Sequence, residues 1–167
     1  LMVAATLVLT ANAQGKYTIN GNLQNAEGQK IYLSKGEFGN VETDSTVITN
    51  GKFTFKGEID GPFESASLLI GNPMDYRNAK SWQVAIEPLT IYVSGDASKQ
   101  NDVTVKGGKI QDELNRMNKE MDVFRAPLMK LNDAYYAQTT KEGKDSVSKL
   151  MEPYRKQYAQ YTQNYMK

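Results

Sequence analysis

Between Lys16 and Lys106, short apolar runs alternate with polar residues at a period of two. Tyr17, Ile19 and Leu23 are interleaved with Thr18, Asn20 and Asn22, and Ile31-Tyr32-Leu33 follows the turn Asn25-Ala26-Glu27-Gly28. Ala66-Ser67-Leu68-Leu69-Ile70 is more fully apolar. Trp82, Val84 and Ile86 alternate with Gln83, Ala85 and Glu87; Leu89, Ile91 and Val93 alternate with Thr90, Tyr92 and Ser94. Val103-Thr104-Val105 closes the series before Gly107-Gly108. Successive side chains of a strand point to opposite faces, so such runs predict half-buried strands. About seven to nine of them, with no helical pattern between, predict an antiparallel β-sandwich or barrel over residues 14–108. Pro88 cannot donate to a ladder and marks an edge or a bend between two strands. The glycines of Lys35-Gly36-Glu37-Phe38-Gly39-Asn40 predict a loop.

The sharpest local signal is Asn50-Gly51, set between the β-rich runs Asp44–Thr49 and Lys52–Gly57. A type I′ turn needs positive φ at both central residues, which Asn and Gly supply. The expected register pairs Thr49 with Lys52, Ile48 with Phe53 and Val47 with Thr54, placing Ile48, Phe53 and Phe55 on the dry face.

Beyond Gly108 the period changes. Ile110, Leu114, Met117, Met121, Phe124, Leu128, Leu131 and Tyr135 repeat at alternating steps of four and three, the seam of a long amphipathic helix. Pro127 lies within it and predicts a kink, since the seam keeps its phase across the proline. Lys141-Glu142-Gly143-Lys144 reads as a polar loop, with Asp145 or Ser146 as the cap of a second helix striped by Val147, Leu150, Tyr154, Tyr158, Tyr161 and Tyr165. Pro153 then falls about one turn in. Residues 109–167 are thus expected to form an antiparallel helical hairpin, giving an α+β chain overall.

Composition narrows function by exclusion. The chain has neither cysteine nor histidine, which removes disulfides, thiol chemistry, the usual zinc sites and any His-based triad. With 20 basic and 19 acidic residues the net charge is +1, so nothing points to nucleic acid or an anionic membrane as partner. No phosphate loop or calcium loop is present in the spacing of glycines and aspartates, and no cofactor is implied. Glu58, Asp60 and Glu64 read as a solvated edge rather than a glycosidase pair. Leu1–Leu9 is a short apolar run followed by Ala11-Asn12-Ala13, an A-x-A pattern. It reads as the remnant of a secretory signal peptide over residues 1–13, cleaved near Ala13-Gln14, with export to the periplasm. The run is shorter than the roughly 20 residues of a membrane span.

Tyr17-Thr18-Ile19-Asn20-Gly21, the Asp44–Gly57 hairpin, Glu87-Pro88-Leu89-Thr90-Ile91-Tyr92-Val93 and Val103–Gly107 before a long helix form a recognisable set. Together they resemble the N-terminal domain of unknown function of exported Bacteroidetes thiol-disulfide oxidoreductases. In that family a thioredoxin-like domain of the AhpC/TSA and TlpA/ResA kind follows. The resemblance runs from Tyr17 into the C-terminal helix. It implies a non-catalytic accessory module that positions, dimerises or gives substrate selectivity to a redox domain whose Cys-x-x-Cys this sequence does not include.

Two sets of residues are candidate sites. Trp82, the single tryptophan, follows the longest non-periodic stretch, residues 71–80, and is a candidate platform for stacking a ligand. Tyr154, Tyr158, Tyr161 and Tyr165 are a candidate partner face, through which a homodimer or the redox domain would dock. The alternative reading is a stand-alone periplasmic protein that binds a glycan or peptide on a β face or on loop 71–81, or serves as a scaffold.

Overall fold

The computed structural model describes residues 14–37, 40–72 and 79–165. The signal-peptide remnant at 1–13 and most of the loop 71–80 lie outside the described residues. The described chain divides into two compact units, with the boundary between Asp112 and Glu113.

The first unit contains eight strands: β1 (Gln14–Gln24), β2 (Lys30–Glu37), β3 (Asn40–Val47), β4 (Lys52–Asp60), β5 (Glu64–Ile70), β6 (Lys80–Ile86), β7 (Thr90–Asp96) and β8 (Thr104–Lys106). They form two open four-stranded sheets, β4-β1-β7-β8 and β3-β2-β5-β6. The period-two alternation explains the layering. Ile19, Phe55, Ile91, Val93 and Val105 of one sheet and Ile31, Leu33, Leu68, Trp82 and Val84 of the other join a single buried cluster. Each inner face therefore covers the other, as in a β-sandwich. All pairings are antiparallel except one: β1 runs parallel to β7, with Ile19 beside Ile91 and Gly21 beside Val93.

At Asn50-Gly51 the turn conformation matches its chemistry, but the ladder does not continue. Both residues have positive φ, 53° and 72°, and Thr49 and Lys52 exchange backbone bonds of 3.0 Å. Beyond that bridge the strands part: β3 pairs with β2, and β4 pairs with β1. Ile48 and Phe53 are not partners. Instead the Ile48 N–H donates to the Gln29 carbonyl at 2.9 Å. The turn is a corner that carries the chain from one sheet to the other. It is held from outside by the Glu27 carboxylate, which accepts from the Asn50 and Gly51 amides at 3.0 and 2.9 Å.

The expected loop at 35–40 is mostly strand. β2 runs to Glu37 and β3 starts at Asn40, with Glu37 opposite Asn40. Gly36 takes φ 97° without ending the strand. Pro88 lies in the bend between β6 and β7, where its missing N–H costs no ladder bond.

Helix α1 (Lys109–Ala137) passes through Pro127 as one element. Its first turn belongs to the sandwich unit, where the Glu87 carboxylate accepts from the Ile110 amide at 3.0 Å and caps the helix. Gln111, only 1% exposed, accepts from the Ala85 amide of β6 at 2.8 Å through Oε1.

The second unit pairs the rest of α1 with α2 (Lys141–Tyr165). The two are antiparallel: Phe124 meets Tyr161, while Lys144 sits over the Tyr135 ring. Leu114, Met117, Met121, Phe124, Leu128, Leu131 and Tyr135 are all half-buried along the expected seam. The start of α2 differs from expectation. Thr140, not Asp145 or Ser146, caps it, accepting from the Gly143 amide at 3.1 Å, so the polar stretch 141–144 is the first helical turn. Pro153 consequently lies in the helix interior. Leu150 points to solvent at 59% exposure, and Met151, at 4%, takes its place in the seam. Among the described residues, no helix is long and apolar enough to cross a membrane.

Candidate functional site

The structure places the two candidate sets in different units. Trp82 stands in β6 opposite Leu68. Its side chain is 7% exposed and packs in the sandwich core, so most of the ring faces other side chains rather than solvent. The tyrosine stripe divides. Tyr161 packs on α1, with its ring 6.0 Å from that of Phe124 and its hydroxyl donating to Glu120 at 2.7 Å. Glu120 also accepts from Arg116 at 2.6 Å, and Glu113 pairs with the same guanidinium, whose proximity holds the Glu113 carboxyl below its ordinary range. Tyr154 is half-buried and Tyr158 is 40% exposed. The Tyr165 side chain lies outside the described residues.

Two polar clusters of the sandwich are held by their own partners. Lys35 reaches Glu42 at 3.4 Å and Glu64 at 3.7 Å, with its ammonium 5.9 Å from the Tyr17 ring centre. Burial raises the Tyr17 hydroxyl's pKa, partly offset by Lys35. Burial works against the Lys35 charge, but Tyr17, Glu64 and Glu42 together push its pKa upward. At the far end of β7, Asp96 accepts from Asn25 Nδ2 at 2.9 Å and from the Ser98 amide and hydroxyl at 2.8 and 2.7 Å. These bonds hold its carboxyl down at about 2. Neither cluster is a metal cage: among the described residues no group of three or more acidic side chains converges as ligands.

The sequence offers a β face as an alternative ligand surface without specifying its residues, and the outer face of the sheet β4-β1-β7-β8 supplies them. Register sets its rows. Lys52, Asn22, Ser94 and Thr104 lie side by side across the four strands, and Thr54, Asn20, Tyr92 and Lys106 form the next row. Between the rows runs a shallow trough of about 440 Å³, lined by Asn20, Asn22, Lys52, Thr54, Tyr92 and Ser94 over a floor of Gly21, Phe53 and Val93. Tyr92 is 58% exposed. Thr54 Oγ1 donates to Asn20 Oδ1 at 3.1 Å, which fixes that amide. Gly21 lies opposite Phe53, and a Cβ there would point into the core and collide with the Phe53 ring. The signal was present in the sequence, because Tyr92 alternates in phase with Thr90 and Ser94 rather than with Ile91 and Val93.

The model of a domain of unknown function, DUF4369, matches residues 17–114. That span covers the eight-stranded unit and the first turn of α1. No curated protein and no solved structure matches the chain.

Proposed function

The chain belongs to the DUF4369 family of domains of unknown function, and we propose that it serves as a non-catalytic, exported module of a thioredoxin-like thiol-disulfide oxidoreductase. What supports this reading is the family match over residues 17–114, the span whose sequence resembles the N-terminal domain of such oxidoreductases. A chain without cysteine or histidine cannot itself exchange thiols, so a redox role would have to be accessory. Such a module positions the thiol-active domain, pairs two copies of it, or selects what reaches it.

The helical unit supplies a surface suited to such docking. Tyr158 and Tyr154 leave part of their rings uncovered along α2, next to Tyr161, which is committed to α1. Tyrosine suits such an interface, having a large apolar body with a polar tip. The alanine-rich start, residues 1–13, supports export through its A-x-A pattern.

The native coding region and the native cell envelope test this together. The reading frame after Lys167 should carry a Cys-x-x-Cys, or a photo-crosslinker at Tyr158 should capture a thioredoxin-like protein. A stop codon directly after Lys167 combined with no such crosslink would sink the reading.

A further inference from the structure

We propose that the outer face of the sheet β4-β1-β7-β8 binds an anionic polysaccharide, a chain of uronate-type sugars lying in the trough beside Tyr92. The inference does not depend on the redox assignment, since it rests only on the sandwich unit.

Three observations converge on this ligand class. The first is Tyr92. A strand face that is otherwise polar exposes 58% of a large aromatic side chain at the wall of a depression. Large apolar surface placed in water beside polar neighbours marks a contact site, and a flat ring suits the C–H face of a sugar. The second is the wall chemistry. Asn20, Asn22, Thr54 and Ser94 offer amides and hydroxyls, which both donate and accept, as a polyhydroxylated ligand requires. Asn20 is already oriented to donate, because Thr54 occupies its carbonyl oxygen and leaves its Nδ2 as the group open to a sugar hydroxyl or carboxylate.

The third is charge. Lys52, Lys56 and Lys106 stand in the rows on and beside the trough. None of the three has a carboxylate within ion-pair distance among the described residues. The next acid along β4, Glu58, lies 3.9 Å from Lys16. Along the face Lys16, Lys52, Lys56 and Lys106 stand against Glu58, Asp60 and Asp96, while the lining of the trough itself holds Lys52 and no carboxylate. The trough presents lysine without arginine, an ammonium point charge that a single sugar carboxylate can meet. The trough lies on the face of the sheet rather than at its edge, so a peptide adding as a strand has no ladder to join there. Its volume of about 440 Å³ is within the range of sites for small ligands, roughly 300–1,000 Å³.

The test is calorimetric titration of the full chain with oligogalacturonate, with its fully methyl-esterified and hence neutral counterpart, with polyglutamate and with single-stranded DNA. Oligogalacturonate should bind saturably and more weakly as salt is raised. Tyr92→Ala should weaken it roughly 10-fold, and Lys52→Gln roughly 2–5-fold. Tyr92→Phe should retain binding because it keeps the ring. A thermal melt of each variant checks that the sandwich is intact; Tyr92 is exposed, so its melting point should not move. Absence of saturable binding would overturn the proposal. So would affinity indifferent to Tyr92→Ala, equal affinity for the neutral ester, or equal affinity for polyglutamate or DNA.

Discussion

Gly21 makes the strongest residue-scale prediction. It faces the core opposite Phe53, and the Phe53 ring occupies the space its Cβ would need. Gly21→Ala should therefore destabilise the sandwich by about 1–3 kcal/mol through overpacking. The cost should shrink in the double variant with Phe53→Leu, whose side chain leaves room for the methyl. Denaturant melts of the two single variants and the double measure this, and simple additivity would show that the two side chains do not compete. Asp96 makes a second prediction. Its carboxyl is lowered from 3.8 to about 2 by the bonds from Asn25 and Ser98. A depressed folded-state pKa contributes stability that is present above the unfolded value and lost as pH falls through the folded one. The wild type should lose stability between about pH 4 and pH 2, and Asp96→Asn should flatten that part of the profile in acid melts. At this scale the sequence was largely legible. The alternation around Tyr92 and the positive φ of Asn50 and Gly51 are local properties and were legible. The burial of Trp82 was legible as well, since it alternates in phase with Val84 and Ile86, and the irregular stretch before it is what also made it a candidate platform.

At the scale of elements, local chemistry predicted conformations better than partners. Asn50-Gly51 forms its turn, yet its two flanking strands go to different sheets, because only the first residue pair is set by the turn itself. What lies beyond depends on Gln29 and on β1, both distant in the chain. Strand segments around Gly36 were hidden by reading glycine as a breaker, although a two-residue connection to Asn40 lets the ladder run to Glu37. The α2 seam was one residue out at Leu150. Val147, Met151, Tyr154, Tyr158 and Tyr161 step by four and three in regular alternation, and this regularity identifies Met151 as the buried member. The same helix offers a test. Pro153 is interior to α2, has no N–H for the Lys149 carbonyl, and crowds it. Pro153→Ala should raise helical content by circular dichroism and stabilise the helical unit by about 1–3 kcal/mol. An unchanged or lowered melting point would mean that the helical pair depends on the proline.

Across the whole molecule, fold class followed from two periodicities that change at Gly107-Gly108, but the strand order did not. Strand β1 is the case in point. Its chain neighbour β2 lies in the other sheet, and its own partners are β4 and β7, with Thr18 reaching Lys56 on one side and Thr90 on the other. The first strand to be made is thus among the last to be completed. Non-local pairing of this kind slows folding toward the millisecond-to-second range of β-rich domains, since loop closure must precede the contacts that reward it. In that interval β1 has two open edges and an uncovered apolar face, a template for pairing with another chain. The Thr18, Asn20 and Asn22 row then has a second use beyond any ligand: it keeps the waiting strand polar on one side until its partners arrive.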